Sequence, residues 1–280
     1  MKASELMPAT LSSLKAIVKI ALKSRRTVRP RLPRPEGDDV VILANGPSLR
    51  TTIAEHSEQL RNMPTVAVNF MANAPEFAQL KPRYYVLADP HFFCGLEHDN
   101  VQSLWRAIAS VDWPMTLLVP VERLRTAREL LGRNAKVEVV TFNFTGIEGW
   151  AWLERIAYNR GWGMPRPRNV LVPALMAAAR CGFKTIYVTG ADHSWMETLR
   201  VDDDNNVVSV QPHFYADSKA ETTRSVSEYR GYRLHDIIYS FYVAFSSYHR
   251  LQRWAESCGI AIYNATPGSF IDAFPRKDLQ

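Results

Sequence analysis

The sequence predicts an α/β fold: a Rossmann-like, doubly wound and mainly parallel sheet with a lid-like insertion and a basic amphipathic N-terminal helix. Three observations point there. Seven short runs (40–44, 65–70, 84–88, 115–119, 137–141, 185–189 and 260–263) are largely apolar and rich in β-branched or aromatic residues, as strands covered on both faces must be. Helical stretches near 50–62, 100–110, 121–132, 170–181 and 235–258 alternate with them, the order of a parallel sheet with crossover helices. Polar side chains follow strand after strand, at the carboxyl ends where such sheets bind ligands.

Before the first strand stands a leader unlike the rest. Residues 1–35 hold nine basic side chains and one acid, Glu5, so the chain's formal charge of +6 resides there and the body is slightly acidic. A nucleic-acid-binding body would itself be basic, so no nucleic-acid partner is expected. Leu11, Leu14, Val18, Ala21 and Leu22 fall at helical spacing, and Lys15, Lys19 and Lys23 recur every four residues along another side. Such a helix suits the anionic inner face of a cell membrane; packing on the domain is the plainer alternative. Its lysines interrupt any signal-peptide core. Residues 29–37, RPRLPRPEG, read as an extended linker. The organisation expected is therefore a leader and linker over 1–37 and one catalytic domain over 38–280, with 143–169 and 194–234 as long irregular segments of functional length.

Composition narrows the class. Of 280 residues, 46% are hydrophobic and 22% charged, an ordinary globular balance. No apolar run approaches the roughly 20 residues of a membrane span. Cys94, Cys181 and Cys258 show no CxxC spacing, which argues for a reducing cytoplasm and against a disulfide framework or zinc site.

Asn45-Gly46-Pro47-Ser48-Leu49, after the first strand, is the most informative stretch. Gly46 lets a ligand approach the backbone, Pro47 suits the first helical position, and a helix N-terminus attracts phosphate. The stretch is neither GxGxxG nor a Walker loop, and a plain capped turn is the alternative. Other strand-end residues are Asn69, Asp89, Asn143, the run Gly190-Ala191-Asp192-His193-Ser194-Trp195, and Asn264. Asp202-Asp203-Asp204 spells DxD, the metal motif of some glycosyltransferases, but it lies between two strand-like runs and reads as a hairpin turn. Trp150, Trp152, Trp162 and Trp195 are candidates for stacking on a sugar or base.

NGPSL, the asparagine ending the second strand and the later GFKTIYVTGAD together resemble the bacterial sialyltransferases of glycosyltransferase family 42. The NGPSL start also resembles the related 6-hydroxymethylpterin diphosphokinase-like family. The first resemblance implies a nucleotide-sugar donor, a CMP-activated one among the candidates, held by Asn45, Gly46, Pro47, Ser48, Asn69 and Gly190, with Asp89 and Asp192 near sugar or ribose. It implies no required cofactor and a surface-glycan or lipid-linked acceptor. Where the family has an asparagine before the proline, this chain has Asp89; its acceptor motif is replaced by a stretch with Arg166, Arg168 and Asn169. No tyrosine follows Gly190-Ala191-Asp192, so Tyr215 or Tyr232 is the substitute. Inverting transfer needs a base; His213 and His235 match the family's lid histidine, and His193 stands at a strand end. The second resemblance implies diphosphate transfer from ATP with a divalent metal on Asp89 and Asp192. A non-catalytic nucleotide-binding module at the membrane is the third reading.

Overall fold

A computed structural model describes residues 3–25, 37–209 and 231–279, with side chains from residue 7 onward. In chain order the strands are β1 (Asp39–Leu43), β2 (Thr65–Val68), β3 (Tyr84–Val86), β4 (Met115–Pro120), β5 (Val137–Phe142), β6 (Thr185–Thr189), β7 (Arg200–Val201), β8 (Val207–Val208) and β9 (Ala261–Asn264). The helices are α1 (Ala3–Lys23), α2 (Leu49–Asn62), α3 (Glu76–Leu80), α4 (His91–Cys94), α5 (Asp99–Ala109), α6 (Leu124–Leu131), α7 (Ala151–Arg160), α8 (Leu171–Cys181) and α9 (Leu234–Ser257).

Seven strands form one parallel sheet in the order β5-β4-β3-β2-β1-β6-β9. This is the doubly wound architecture expected from the alternation of apolar runs and helices. Strand alternation explains why β1 is apolar from Val40 to Leu43. Val40 and Ile42 enter the core beneath α8 and α9, whereas Val41 and Leu43 enter the core beneath α2 and α5. The chain lays down β2 to β5 on one side of β1 and then places β6 on the other. A crevice at the carboxyl ends therefore opens between β1 and β6, the topological switch point of such sheets.

Two local readings change and a third holds. The second strand stops at Val68, because Asn69 adopts a left-handed φ of 49° and starts a 3-10 turn over Asn69–Asn73. Asparagine is among the few residues that tolerate this conformation. The segment 143–169 is not irregular throughout: it contains α7, which buries Leu153, Glu154, Ala157 and Tyr158. Glu148 pairs with Arg166 at 2.6 Å, Arg250 pairs with Glu154, and the Tyr158 hydroxyl donates to the Ile147 carbonyl at 2.6 Å. The DxD stretch is the turn between β7 and β8, as expected. Asp202 Oδ1 accepts from the N–H groups of Asp204 (3.1 Å) and Asn206 (2.7 Å).

Helix α1 forms and docks on the domain through Ser13 and Ala16, both buried. Ser13 Oγ accepts from the Trp150 N–H at 2.9 Å, and Lys19 Nζ donates to the Gly146 carbonyl at 3.2 Å. Beyond its end, Asn143 accepts from the Arg25 N–H at 3.0 Å and donates to the carbonyls of Arg25 (3.0 Å) and Gly161 (2.8 Å). Most of the expected linker lies outside the described residues. Among those described, no helix is long and apolar enough to cross a membrane.

Candidate functional site

The turns that leave β1 and β6 are built against each other. Ala44 N–H donates to the Thr189 carbonyl at 2.9 Å, and Gly46 N–H to the Gly190 carbonyl at 2.7 Å. A Cβ on Gly46 would overlap the Asp192 carboxylate and the Gly190 carbonyl; one on Gly190, whose φ is +66°, would overlap the Ala44 carbonyl. Both glycines are thus required by close approach.

Asp192 reaches across to the start of α2. Its Oδ1 accepts from the Ser48 N–H at 3.3 Å and its Oδ2 from the Ser48 hydroxyl at 2.9 Å. The next N–H groups are also used: Leu49 donates to the Gly46 carbonyl at 3.1 Å and Arg50 to that of Pro47 at 3.3 Å. The helix start read as a phosphate seat therefore already holds a carboxylate of this chain, an anion favoured there by the same N–H groups and dipole. Burial pushes the Asp192 carboxyl above the ordinary aspartate range, against the opposing pull of the Ser48 hydrogen bonds.

Above this turn lies a cavity of about 160 Å³ lined by Asn45, Asn69, Asn169, Asp192, His193 and Trp195, with backbone from both turns. Asn45 is buried and donates through Nδ2 to the Val68 carbonyl at 3.0 Å. Asn69 Oδ1 is buried and accepts no hydrogen bond among the described residues. A second cavity, about 230 Å³, adjoins through Asn169 and Trp195 and is lined further by Arg168 and by Ile237, Ser240 and Phe241 of α9. Arg168 is exposed, with no ion pair among the described residues. A larger cavity of about 410 Å³ lies against β4, β5 and α8 and shares none of the residues after β1, β2 or β6. Its lining amides are already engaged, Asn143 with Arg25 and Gly161 and Asn159 with Trp254, and polar groups left for a ligand mark a site better than size does.

His193 is held in a defined state. It adopts a left-handed φ of 55°, is 9% exposed, and stacks on Trp195 with ring centroids 4.2 Å apart. Its Nε2 lies 2.6 Å from the Tyr248 hydroxyl and 3.4 Å from Asn169 Nδ2. The Asn169 amide is oriented by the Leu171 N–H, which donates to its Oδ1 at 3.0 Å; its Nδ2 donates to the Tyr248 hydroxyl at 2.6 Å. Among the described residues the buried Tyr248 proton then has one acceptor in reach, His193 Nε2. Satisfying that proton leaves the neutral ring protonated on Nδ1. Burial keeps it neutral, pushing its pKa down to about 3.

The structure thus brings together Asn45, Gly46, Pro47, Asn69, Gly190, Asp192 and His193, with Ser48 behind Asp192. It does not bring in Asp89, which is exposed and accepts from the His91 N–H at 2.8 Å. His235 is also excluded from this lining; it is exposed at the start of α9, 3.4 Å from Asp236. Tyr232 is exposed, and His213 and Tyr215 lie outside the described residues. Of the four candidate stacking tryptophans, Trp195 lines the cavity. Sequence reasoning missed Tyr248, whose position within a long apolar helix gives no sign of its polar contact. Among the described residues no group of three or more His, Cys, Asp or Glu side chains converges as a metal site.

No protein-family model and no curated protein matches the chain. Among solved structures it is similar to the MAf glycosyltransferase from Magnetospirillum magneticum AMB-1, with a TM-score of 0.50 and 12% identity over 97% of this chain. The chain spans 38% of that protein's length. At this identity the likeness establishes a shared α/β fold.

Proposed function

We propose that the protein is a glycosyltransferase that moves a sugar from a nucleotide donor, a CMP-activated sugar first among the candidates, to a surface-glycan or lipid-linked acceptor at the inner face of the cell membrane. One observation carries this reading: groups with unused hydrogen-bonding capacity converge on the β1–β6 crevice. Among the described residues they are an acceptor (Asn69 Oδ1) and a neutral donor (His193 Nδ1–H), with Arg168, which makes no ion pair there, lining the adjoining cavity. The fold shared with a glycosyltransferase adds support.

In this proposal the acceptor hydroxyl attacks the anomeric carbon, and the bond from that carbon to the donor phosphate breaks. The phosphate leaves with the electron pair. Asp192, made more basic by burial, takes the hydroxyl proton. His193 donates its Nδ1–H to the departing oxygen, and Arg168 faces the released phosphate. His193 thus stabilises charge and leaves proton removal to the carboxylate. No metal or other cofactor is required.

Diphosphate transfer with a metal shared by Asp89 and Asp192 is disfavoured by topology. Three strand spacings separate β3 from β6, about 14 Å, too far for one ion. The test is a thermal-shift screen of CMP, UDP, GDP and ATP with and without magnesium, followed by donor hydrolysis. A pyrimidine nucleotide should stabilise the wild type and not Asn69→Ala. Donor hydrolysis should vanish in Asp192→Asn. Magnesium-dependent ATP consumption with a pterin overturns the proposal, and so does nucleotide protection without turnover of any sugar donor.

A further inference from the structure

Helix α1 is docked the unusual way round. An amphipathic helix on a globular domain normally turns its apolar stripe inward. Here the inward residues are the small Ser13 and Ala16, with Ile20 partly buried. The apolar stripe faces out: Met7 is 73% exposed, Leu11 53%, Leu14 56%, Ile17 47%, Val18 56% and Leu22 79%. At about 100° per residue these six share one side of the helix, and Lys15, Lys19 and Lys23 line its flank, between the stripe and the docked face. Lys15 and Lys23 make no ion pair among the described residues.

A second feature adjoins the stripe. At the carboxyl end of α1 a cleft of about 450 Å³ is lined by Lys19, Lys23, Arg25, Leu22 and Phe144, with Glu122 as its one acid. Leu22, the most exposed apolar residue of the stripe, borders this cleft. Apolar surface and a cationic recess therefore meet at one place.

We propose that α1 lies in the surface of an anionic phospholipid bilayer, with Leu11, Leu14, Val18 and Leu22 among the acyl chains and the Lys19–Lys23–Arg25 cleft around a phosphate headgroup. Charge complementarity selects this occupant. A protein partner or a second copy would need no flank of lysines, whereas an anionic lipid surface attracts them. The inference shares only the membrane location with the proposed function, and its test reads binding rather than sugar transfer, so either can fail alone.

The test uses the full chain, sedimented with vesicles of phosphatidylcholine alone or mixed with phosphatidylglycerol. Binding to the mixed vesicles is expected, at least tenfold weaker on phosphatidylcholine alone and weakened by salt. Leu14→Glu with Val18→Glu should abolish it without moving the thermal midpoint, since both side chains are exposed. Lys15→Gln with Lys23→Gln and Arg25→Gln should reduce binding to the mixed vesicles about tenfold and leave the residual binding to phosphatidylcholine unchanged. No binding to mixed vesicles, or equal binding by the Leu14→Glu, Val18→Glu variant, overturns the proposal. So does a wild-type dimer in analytical ultracentrifugation that this variant splits, if vesicles are ignored, because the face then joins two copies of the chain.

Discussion

The β1–β6 crevice and the outer face of α1 are opposite constructions. In the crevice, polar groups from the turns after β1 and β6, from the segment before α8 and from α9 hold one another by side chains far apart in the chain, as with Ser48–Asp192 and Asn169–Tyr248–His193. On α1 the exposed residues are neighbours along one helix and touch little of the body. The difference teaches where tolerance lies. A tight polar network transmits any change of atom, because a buried group that loses its partner keeps its full desolvation penalty. A helix face directed outward absorbs substitutions without loss of fold.

The sharpest way to break the contrast is Gly46→Ala. The new methyl meets the Asp192 carboxylate and the Gly190 backbone, so urea unfolding should show a loss of about 3 kcal/mol. Tyr248→Phe comes next. It removes the donor to His193 Nε2 and a partner of Asn169, and should cost about 1–3 kcal/mol. The Nδ1–H resonance of His193 in nitrogen NMR should then lose its single-tautomer signature.

Acid stability sharpens the comparison further. The His193 ring titrates near 3 when folded and near 6.5 when unfolded, so the unfolded chain binds the proton first. This residue's contribution is complete above the unfolded value and is lost as pH falls through the interval between the two. The slope is about 1.4 kcal/mol per pH unit. His193→Asn, which keeps the left-handed backbone tolerable, should remove that slope in denaturant titrations at successive pH values. The smallest effect belongs to the leader: Leu14→Ala with Val18→Ala should leave unfolding within about 0.5 kcal/mol of wild type. A larger loss would mean that the outer face is structural.

What could be read beforehand follows the same divide. The seven parallel strands and five of the helices announce themselves through local periodicity, which burial on both faces imposes. Helix α7 is hidden by the tryptophans and glycines that flank it, since its side chains pack against α9 rather than forming a clean stripe. The run Asn45–Ser48 marks the turn after β1, yet the carboxylate that occupies its helix start arrives from Asp192, far along the chain, and no local pattern discloses that. His193 is conspicuous at its strand end, whereas its tautomer depends on Tyr248 and Asn169, which only folding brings within reach. The amphipathic character of α1 is plain in its spacing. Which side faces inward is decided by the small residues that let Ser13 approach Trp150.

Asn143 has a consequence for how the two constructions are coupled. One amide closes three hydrogen bonds, two to the backbone of Arg25 and one to Gly161, so the leader's exit is fastened at the carboxyl rim of the sheet rather than hung from a free tether. Any surface that α1 settles on would fix the heading of that rim as well. The crevice would then open at a set angle to its surroundings, with substrates arriving from one side.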